Sequence, residues 1–394
     1  MIDRYAFKRF TGLSILFAFA TFLAHPLLGP YLERIGFDKW QISLMSAAFA
    51  LGGVIMGPVA ALLAQKIGRN RVMAIGFAAA ALSLVFYIWH VNWLMIVGAR
   101  FLDAVAGAFC AMLLLSKVED SISENERGKK TGWLLSFIWL GNLLGPLVGT
   151  KLAEEFNIVT PFIISVLINL LLAFYVFTRR SQHAPVVPAF PDISLQSWAA
   201  ELKKYWSVRQ LRALGVLGVA AHATIVKLDL FVPLFVVDTL GLPVGYIGLA
   251  VFAFGLPHLL LPYFGGLADK YGRPLLSLTG LILAAIGIFL ISKSPDFSYL
   301  LVALVVTGFG TAIWGVSAVS LMSEIGEREN METDVLTGYY SISKIGSLLS
   351  FIVSAVILKL WSLEVLFLFY SIILAASVLF AGRGLFKTKL FSKT

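Results

Sequence analysis

The chain reads as an all-α membrane protein: twelve transmembrane helices in two pseudo-symmetric six-helix bundles. Three observations predict this. Hydrophobic residues make up 59% of the 394 and charged residues only 13%, with a mean hydropathy of +0.88, which is too apolar for a soluble globule. Twelve apolar stretches, centred near residues 20, 53, 81, 105, 142, 169, 222, 256, 283, 311, 347 and 374, are each long enough to cross a bilayer core, which takes about 20 residues. The chain also repeats itself. Gly265-Gly-Leu-Ala-Asp-Lys-Tyr-Gly-Arg-Pro274 has a degenerate copy 204 residues upstream, Ala61-Leu-Leu-Ala-Gln-Lys-Ile-Gly-Arg-Asn70. Leu140-Gly-Asn-Leu-Leu-Gly-Pro-Leu-Val-Gly149 returns at an offset of 205 as Ile345-Gly-Ser-Leu-Leu-Ser-Phe-Ile-Val-Ser354. Two matches at nearly one offset indicate a duplicated helical unit, the usual build of a carrier that moves solute between two halves.

Charge placement sets the topology. Of 31 Lys and Arg, 23 fall in the terminal segments and the loops on their side, 5 in the opposite loops, and 3 (Arg100, Lys227, Lys344) inside spans. This bias puts both termini in the cytoplasm and assigns the net charge of +9 to topology rather than to a nucleic-acid surface. The first apolar run is too long for a cleaved leader, and no small-residue cleavage site follows it. Cys110 is the only cysteine, so neither an intrachain disulfide nor a cysteine metal site is expected, and no cofactor is.

Taken in order, residues 1–180 hold six spans. The first ends in Pro26-Leu-Leu-Gly-Pro-Tyr31 and carries His25; the fourth carries Arg100 and Asp103; the fifth carries Gly141, Gly145, Pro146 and Gly149. Those glycines share one helical face and allow close backbone approach. Residues 181–209 form a cytoplasmic linker. Within it Leu195, Trp198, Ala199, Leu202 and Trp206 recur at helical spacing, which predicts an amphipathic helix on the membrane surface. Residues 210–394 hold the second six spans. The seventh carries His222, Lys227 and Asp229; the eighth His258; the tenth only Thr307, Thr311, Trp314 and Ser317; the eleventh Lys344. Gly68 and Gly272 close tight turns that favour positive φ, with Arg69 and Arg273 beside them.

The spacing of charge among spans separates their environments. No Asp, Glu, Lys, Arg or His lies in Val72–Trp89, Val159–Phe177, Leu275–Ile291 or Leu366–Phe380, the cores of the third, sixth, ninth and twelfth spans. Buried charge is costly in lipid, so charged helices should face a wet interior and uncharged ones the acyl chains.

With these residues in view, the chain resembles the major facilitator superfamily over essentially its whole length, and within it the twelve-helix drug:proton antiporters. The loop motif carries the superfamily resemblance. The pattern Gly141-x-x-x-Gly145-Pro146-x-x-Gly149 is similar to that of exporters, and Pro26–Tyr31 to the proline-bearing end of the first helix in that family. The resemblance implies a cavity lined by the first, fourth, seventh and tenth helices. It also implies conformational roles for Gly68, Arg69, Asp269, Gly272 and Arg273. Two departures stand out: the acidic residue that helps latch the cytoplasmic side is Asp269 in one copy but Gln65 in the other, and the glycine expected after Gly149 is Thr150.

Helical geometry narrows the candidate site. Arg100 and Asp103, three residues apart, can pair. His222 and Asp229, seven apart, share a face of an unbroken helix, while Lys227 points away from Asp229. Aligning Pro30 with Pro233 puts His25 opposite Leu228 or Asp229. Asp229, His222, His25 and Asp103 are therefore the candidates for proton coupling, against the alternative that Asp229 forms a fixed ion pair with Lys227 or Lys344. Arg100, Lys227 and Lys344 exceed Asp103 and Asp229 by one charge, which favours an anionic or zwitterionic solute. Trp139, Trp314 and Tyr339 are candidate stacking surfaces. No nucleotide loop, metal-ligand spacing or nucleophile set points to an enzyme. The expected function is secondary transport by alternating access: proton-coupled export of a small amphipathic or anionic organic solute, acting as a monomer in the cell (inner) membrane among its lipids. The alternatives are an uptake symporter for an anionic nutrient and a carrier of lipid or lysolipid.

Overall fold

A computed structural model describes residues 4–90, 92–119, 127–179 and 203–386. Twelve helices long and apolar enough to cross a membrane follow one another among these residues. They are α1 (Arg4–Arg34), α2 (Lys39–Ile67), α3 (Arg69–Ile88), α4 (Trp93–Val118), α5 (Arg127–Glu155) and α6 (Thr160–Phe177) in the first half. The second half holds α7 (Arg209–Thr239), α8 (Gly245–Tyr271), α9 (Arg273–Ser292), α10 (Phe297–Glu329), α11 (Glu332–Leu360) and α12 (Leu363–Ala381). An even number of crossings returns the chain to its starting side; that side is called here the terminal face, and the opposite one the distal face. Most of the predicted linker helix lies outside the described residues. Its end contributes Tyr205, fully buried against Gly215 and Gly338 of the second half.

Glycine and proline fix the joints. Gly68 and Gly272 adopt φ of 88° and 95° at the paired α2–α3 and α8–α9 turns, where a side chain would be strained. Arg273 then ties its turn to α10: it pairs with Asp269 at 3.2 Å, donates to the carbonyl of Ser320 at 2.9 Å and lies 3.5 Å from Glu324. Three helices depart from regular winding. α4 widens at Gly107–Ala111, α7 turns at Val226 and Lys227 and widens at Phe235–Thr239, and α8 tightens at Leu256–Leu260 after the donor lost to Pro257. The turn in α7 breaks the helical phase, so the seven-residue spacing of His222 and Asp229 does not place them together.

The predicted backbone approach of the α5 glycines is directed at α1. A Cβ at Gly141 would meet the carbonyl oxygen of Ile15 at 2.6 Å, one at Gly145 that of Phe19 at 2.8 Å, and one at Gly149 would overlap that of Leu23. The adjoining face of α5 meets α8 of the other half, where Gly248 leaves room for Thr150 and Gly255 for Leu143. Thr150 is thereby a contact between halves, with its hydroxyl bonded to the Pro146 carbonyl at 2.7 Å.

Lipid exposure follows the uncharged helices only in part. The most apolar windows of α6 and α12 are one-third buried, as expected for helices facing acyl chains. Those of α3 and α9 are 61% and 56% buried, whereas that of α2 is only 22% buried. Absence of charge permits contact with lipid without requiring it, and the small residues of α3 and α9 pack closely against α4 and α10 (Gly76 on Phe109 and Cys110, Gly280 on Trp314).

The halves are joined at the distal end. One apolar core runs through both, bringing Leu27, Leu28 and Tyr31 of α1 together with Leu230, Phe231 and Leu234 of α7. Toward the terminal face the first half has its own core, around Phe10, Phe77, Phe109 and Leu134; in the second half the shared core continues through Tyr205, Leu211 and Leu385, with a separate small cluster around Phe264, Leu276 and Ile313. Distal contacts include the Ser43 hydroxyl donating to the Phe351 carbonyl at 2.7 Å, an ion pair of Lys39 with Asp238, and Gly29 of α1 set against the Leu230 backbone.

Candidate functional site

Just inside this distal closure lie the charged residues of the spans. Asp103 is held by three groups: Arg100 Nη1 at 3.3 Å, His25 Nε2 at 3.7 Å, and the Tyr87 hydroxyl, which donates to the same oxygen, Oδ2. The i, i+3 pairing expected of Arg100 and Asp103 is present, and both are buried. Tyr87 comes from α3, and Tyr31 of α1 donates to its carbonyl at 3.2 Å while meeting His90 Nδ1 at 3.1 Å. The network is closed: Arg100, His25 and Tyr87 of the first half meet on one oxygen of a buried carboxylate.

Asp229 stands apart from it. Its side chain is exposed although it lies deep between the halves, within coulombic reach of His25 and Arg100. Exposure at that depth means that it faces an internal chamber. Among the described residues no lysine or arginine comes within salt-bridge distance of it. His25, 26% exposed, therefore stands between a tied carboxylate, Asp103, and an untied one, Asp229.

The second half supplies the facing wall. Lys344 of α11 is half-buried, and its ammonium lies 5.9 Å from the centre of the Phe49 ring of α2, close to Gly53. The guanidinium of Arg100 lies 5.1 Å from the same ring. Phe49 thus has a cation of each half beside it, an arrangement its π face tolerates. His222 lies within coulombic reach of Lys344 and edge-on to Tyr339, at 5.8 Å. Buried Arg100 Nε and His222 Nδ1 have no hydrogen-bond partner among the described residues.

Four of the sequence candidates are taken up by packing. Lys227, 1% exposed, points into the second half, where its ammonium donates to Ser350 Oγ at 2.6 Å and lies 4.0 Å from the Phe351 ring and 5.2 Å from that of Tyr370. Trp314 is part of the packed core, with its backbone against Gly280. Trp139 stacks on His258 across the α5–α8 seam, with ring centres 3.9 Å apart, and His258 Nε2 meets the Thr311 hydroxyl at 3.3 Å. Tyr339 is buried and fills the space beside Gly218. Sequence reasoning missed Phe49, Tyr87, Tyr31 and His90. An aromatic in an apolar run carries no mark of what it touches, although a tyrosine in the uncharged third span needs a partner for its hydroxyl and was the available signal.

Comparison with known proteins places the geometry. The family model described as Major Facilitator Superfamily matches residues 10–257 and 214–391. The chromaffin granule amine transporter of Rattus norvegicus is 23% identical over 325 residues, 81% of this chain and 60% of that protein. The quinolone resistance protein NorA of Staphylococcus aureus is 27% identical over 133 residues, 34% of each. The chain thus spans 60% or less of the length of these curated relatives. Among solved structures, the nucleoside transporter NupG superposes with a TM-score of 0.78 at 14% identity, covering 98% of this chain and all of that one. A POT family transporter in complex with a thioalcohol-conjugated peptide gives 0.76 at 12%, covering 96% of each. With both halves matched by one family model, the chain belongs to the Major Facilitator Superfamily.

Proposed function

We propose that this protein is a proton-coupled exporter of a small amphipathic or anionic organic solute, acting by alternating access in the cell membrane with both termini cytoplasmic. The observation that carries the reading is the contrast between the two carboxylates: Asp103 is tied by Arg100, His25 and Tyr87, whereas Asp229 faces the chamber without a fixed cation. A carboxylate must be free to take and release its proton if the proton is to be exchanged for solute, and Asp229 has that freedom. His25 is the link, near enough to Asp229 to sense its charge and close enough to Asp103 to return to it. Joined distal cores and separate terminal cores support a chamber open toward the terminal face, the loading state of an exporter. The α5 glycine pattern and the likeness to a quinolone resistance protein favour export over uptake.

The test is proton movement in proteoliposomes with a pH-sensitive dye trapped inside. When a transported member of a panel of organic cations, anions and zwitterions is added outside, exchange predicts alkalinisation of the lumen. Acidification would mean co-transport instead, and solute entry without a pH change would remove proton coupling. Asp229→Asn is expected to abolish the pH change.

A further inference from the structure

The two charged side chains of the chamber that lack an opposite charge are of opposite sign, and both belong to the second half. Asp229 has no cation at ion-pair distance, and Lys344 has no carboxylate within reach among the described residues. They do not neutralise each other. Lys344 lies near His222 and Asp229 near His25 and Arg100, so the two poles have different neighbours. Lys227, the charge nearest to Asp229 in sequence, is bonded to Ser350 inside the bundle and offers neither pole a partner. Phe49 presents a half-buried ring next to Lys344 and Arg100, a platform for a flat apolar body.

We propose that the transported solute is a zwitterion with a planar body: its acidic group is held by Lys344, its basic group by Asp229, and its body lies along Phe49. The inference rests on the proposed central site and names its substrate class. The arrangement also gives exchange the right sign. A basic group seated on Asp229 takes the place of the proton, so the carboxylate serves one or the other. Lys344 adds affinity for the acidic pole without touching that competition. Arg100 is already engaged by Asp103.

The test uses the full-length protein in nanodiscs without a pH gradient and three naphthalene probes of one shape. The first is 6-(aminomethyl)-2-naphthoate, with both charges; 6-methyl-2-naphthoate is the anion alone; 2-(aminomethyl)-6-methylnaphthalene is the cation alone. The two-charge probe is expected to bind at least tenfold more tightly than either single-charge probe. Lys344→Gln should reduce it to the level of the cation alone, and Asp229→Asn to that of the anion alone. Lys344→Arg should retain most of the difference, which shows that charge at this position, not folding, is being read. Equal binding of the two-charge probe and either single-charge probe would overturn the proposal. So would absence of binding by the two-charge probe, or affinity unchanged within twofold in Lys344→Gln. Because no gradient is present, failure of proton exchange in the liposome assay leaves this result standing. Coupled transport of singly charged solutes at equal affinity would instead leave the exchange reading intact and remove the zwitterion.

Discussion

At the scale of single residues, the molecule separates buried charge that is paired from buried charge that is merely accommodated. Asp103 is paired, and Tyr87→Phe removes one of its donors. Removing a hydrogen bond to a buried charged group costs about 1–3 kcal/mol, so a lower melting temperature is expected, with the Arg100–Asp103 pair retained. Lys227 is accommodated: one hydroxyl and two aromatic faces receive it, and among the described residues no carboxylate does. Replacing a buried charge by an apolar side chain of similar length is often neutral or stabilising by about 1–4 kcal/mol. Lys227→Met is therefore expected to melt no lower than the wild type and to transport normally. A well-folded Lys227→Met that no longer transports would place Lys227 in the working machinery. The sequence led to Asp229, His25 and the Arg100–Asp103 pair because intramembrane charge is rare enough to be conspicuous. It could not sort Lys227 from Lys344, since which way a lysine leaves its helix depends on the turn at Val226 and Lys227, and no proline or glycine in the sequence marks that turn.

At the scale of helices, the small residues determine how closely neighbours approach. The α5 stripe lies on the α1 backbone, so Gly149→Val must push two helices apart. Overpacking of this kind costs about 1–3 kcal/mol, and loss of expression or a lower melting temperature is the expected reading. Gly272→Ala probes a different property, since it must hold φ near 95°. A left-handed conformation costs an ordinary residue about 1–2 kcal/mol, while the Arg273 contacts to Asp269 and α10 remain available. The helices and their two-fold repeat were legible because twenty-residue apolar runs and a shared offset survive in the sequence. Their burial was not: α2 and α3 have similar composition, yet differ nearly threefold in the fraction covered, because coverage is decided by neighbours that composition does not name.

At the scale of the whole molecule, the distal closure is a set of contacts that must break for solute to leave on that side. Lys39 and Asp238 meet across it, one from each half. Cysteines at these two positions should be bridged by a short bis-methanethiosulfonate reagent in the described arrangement, since the only native cysteine, Cys110, is buried. The Lys39→Cys/Asp238→Cys protein is expected to lose transport on bridging and to regain it on reduction; transport that continues through the cross-link would mean that the distal ends need not separate. The duplication made two halves predictable, but not which end was shut: both ends are apolar enough to meet, and only the shared core of α1 and α7 decides between them.

The stacking of Trp139 on His258 bears on how such halves can move. Two flat rings 3.9 Å apart resist being pulled asunder yet slide over one another at little cost, and on the same seam Gly248 and Gly255 let Thr150 and Leu143 lie close against α8. A joint of that kind behaves as a bearing: it holds the bodies together while letting one turn upon the other. Whatever opens the far gate can leave this line of touch unbroken.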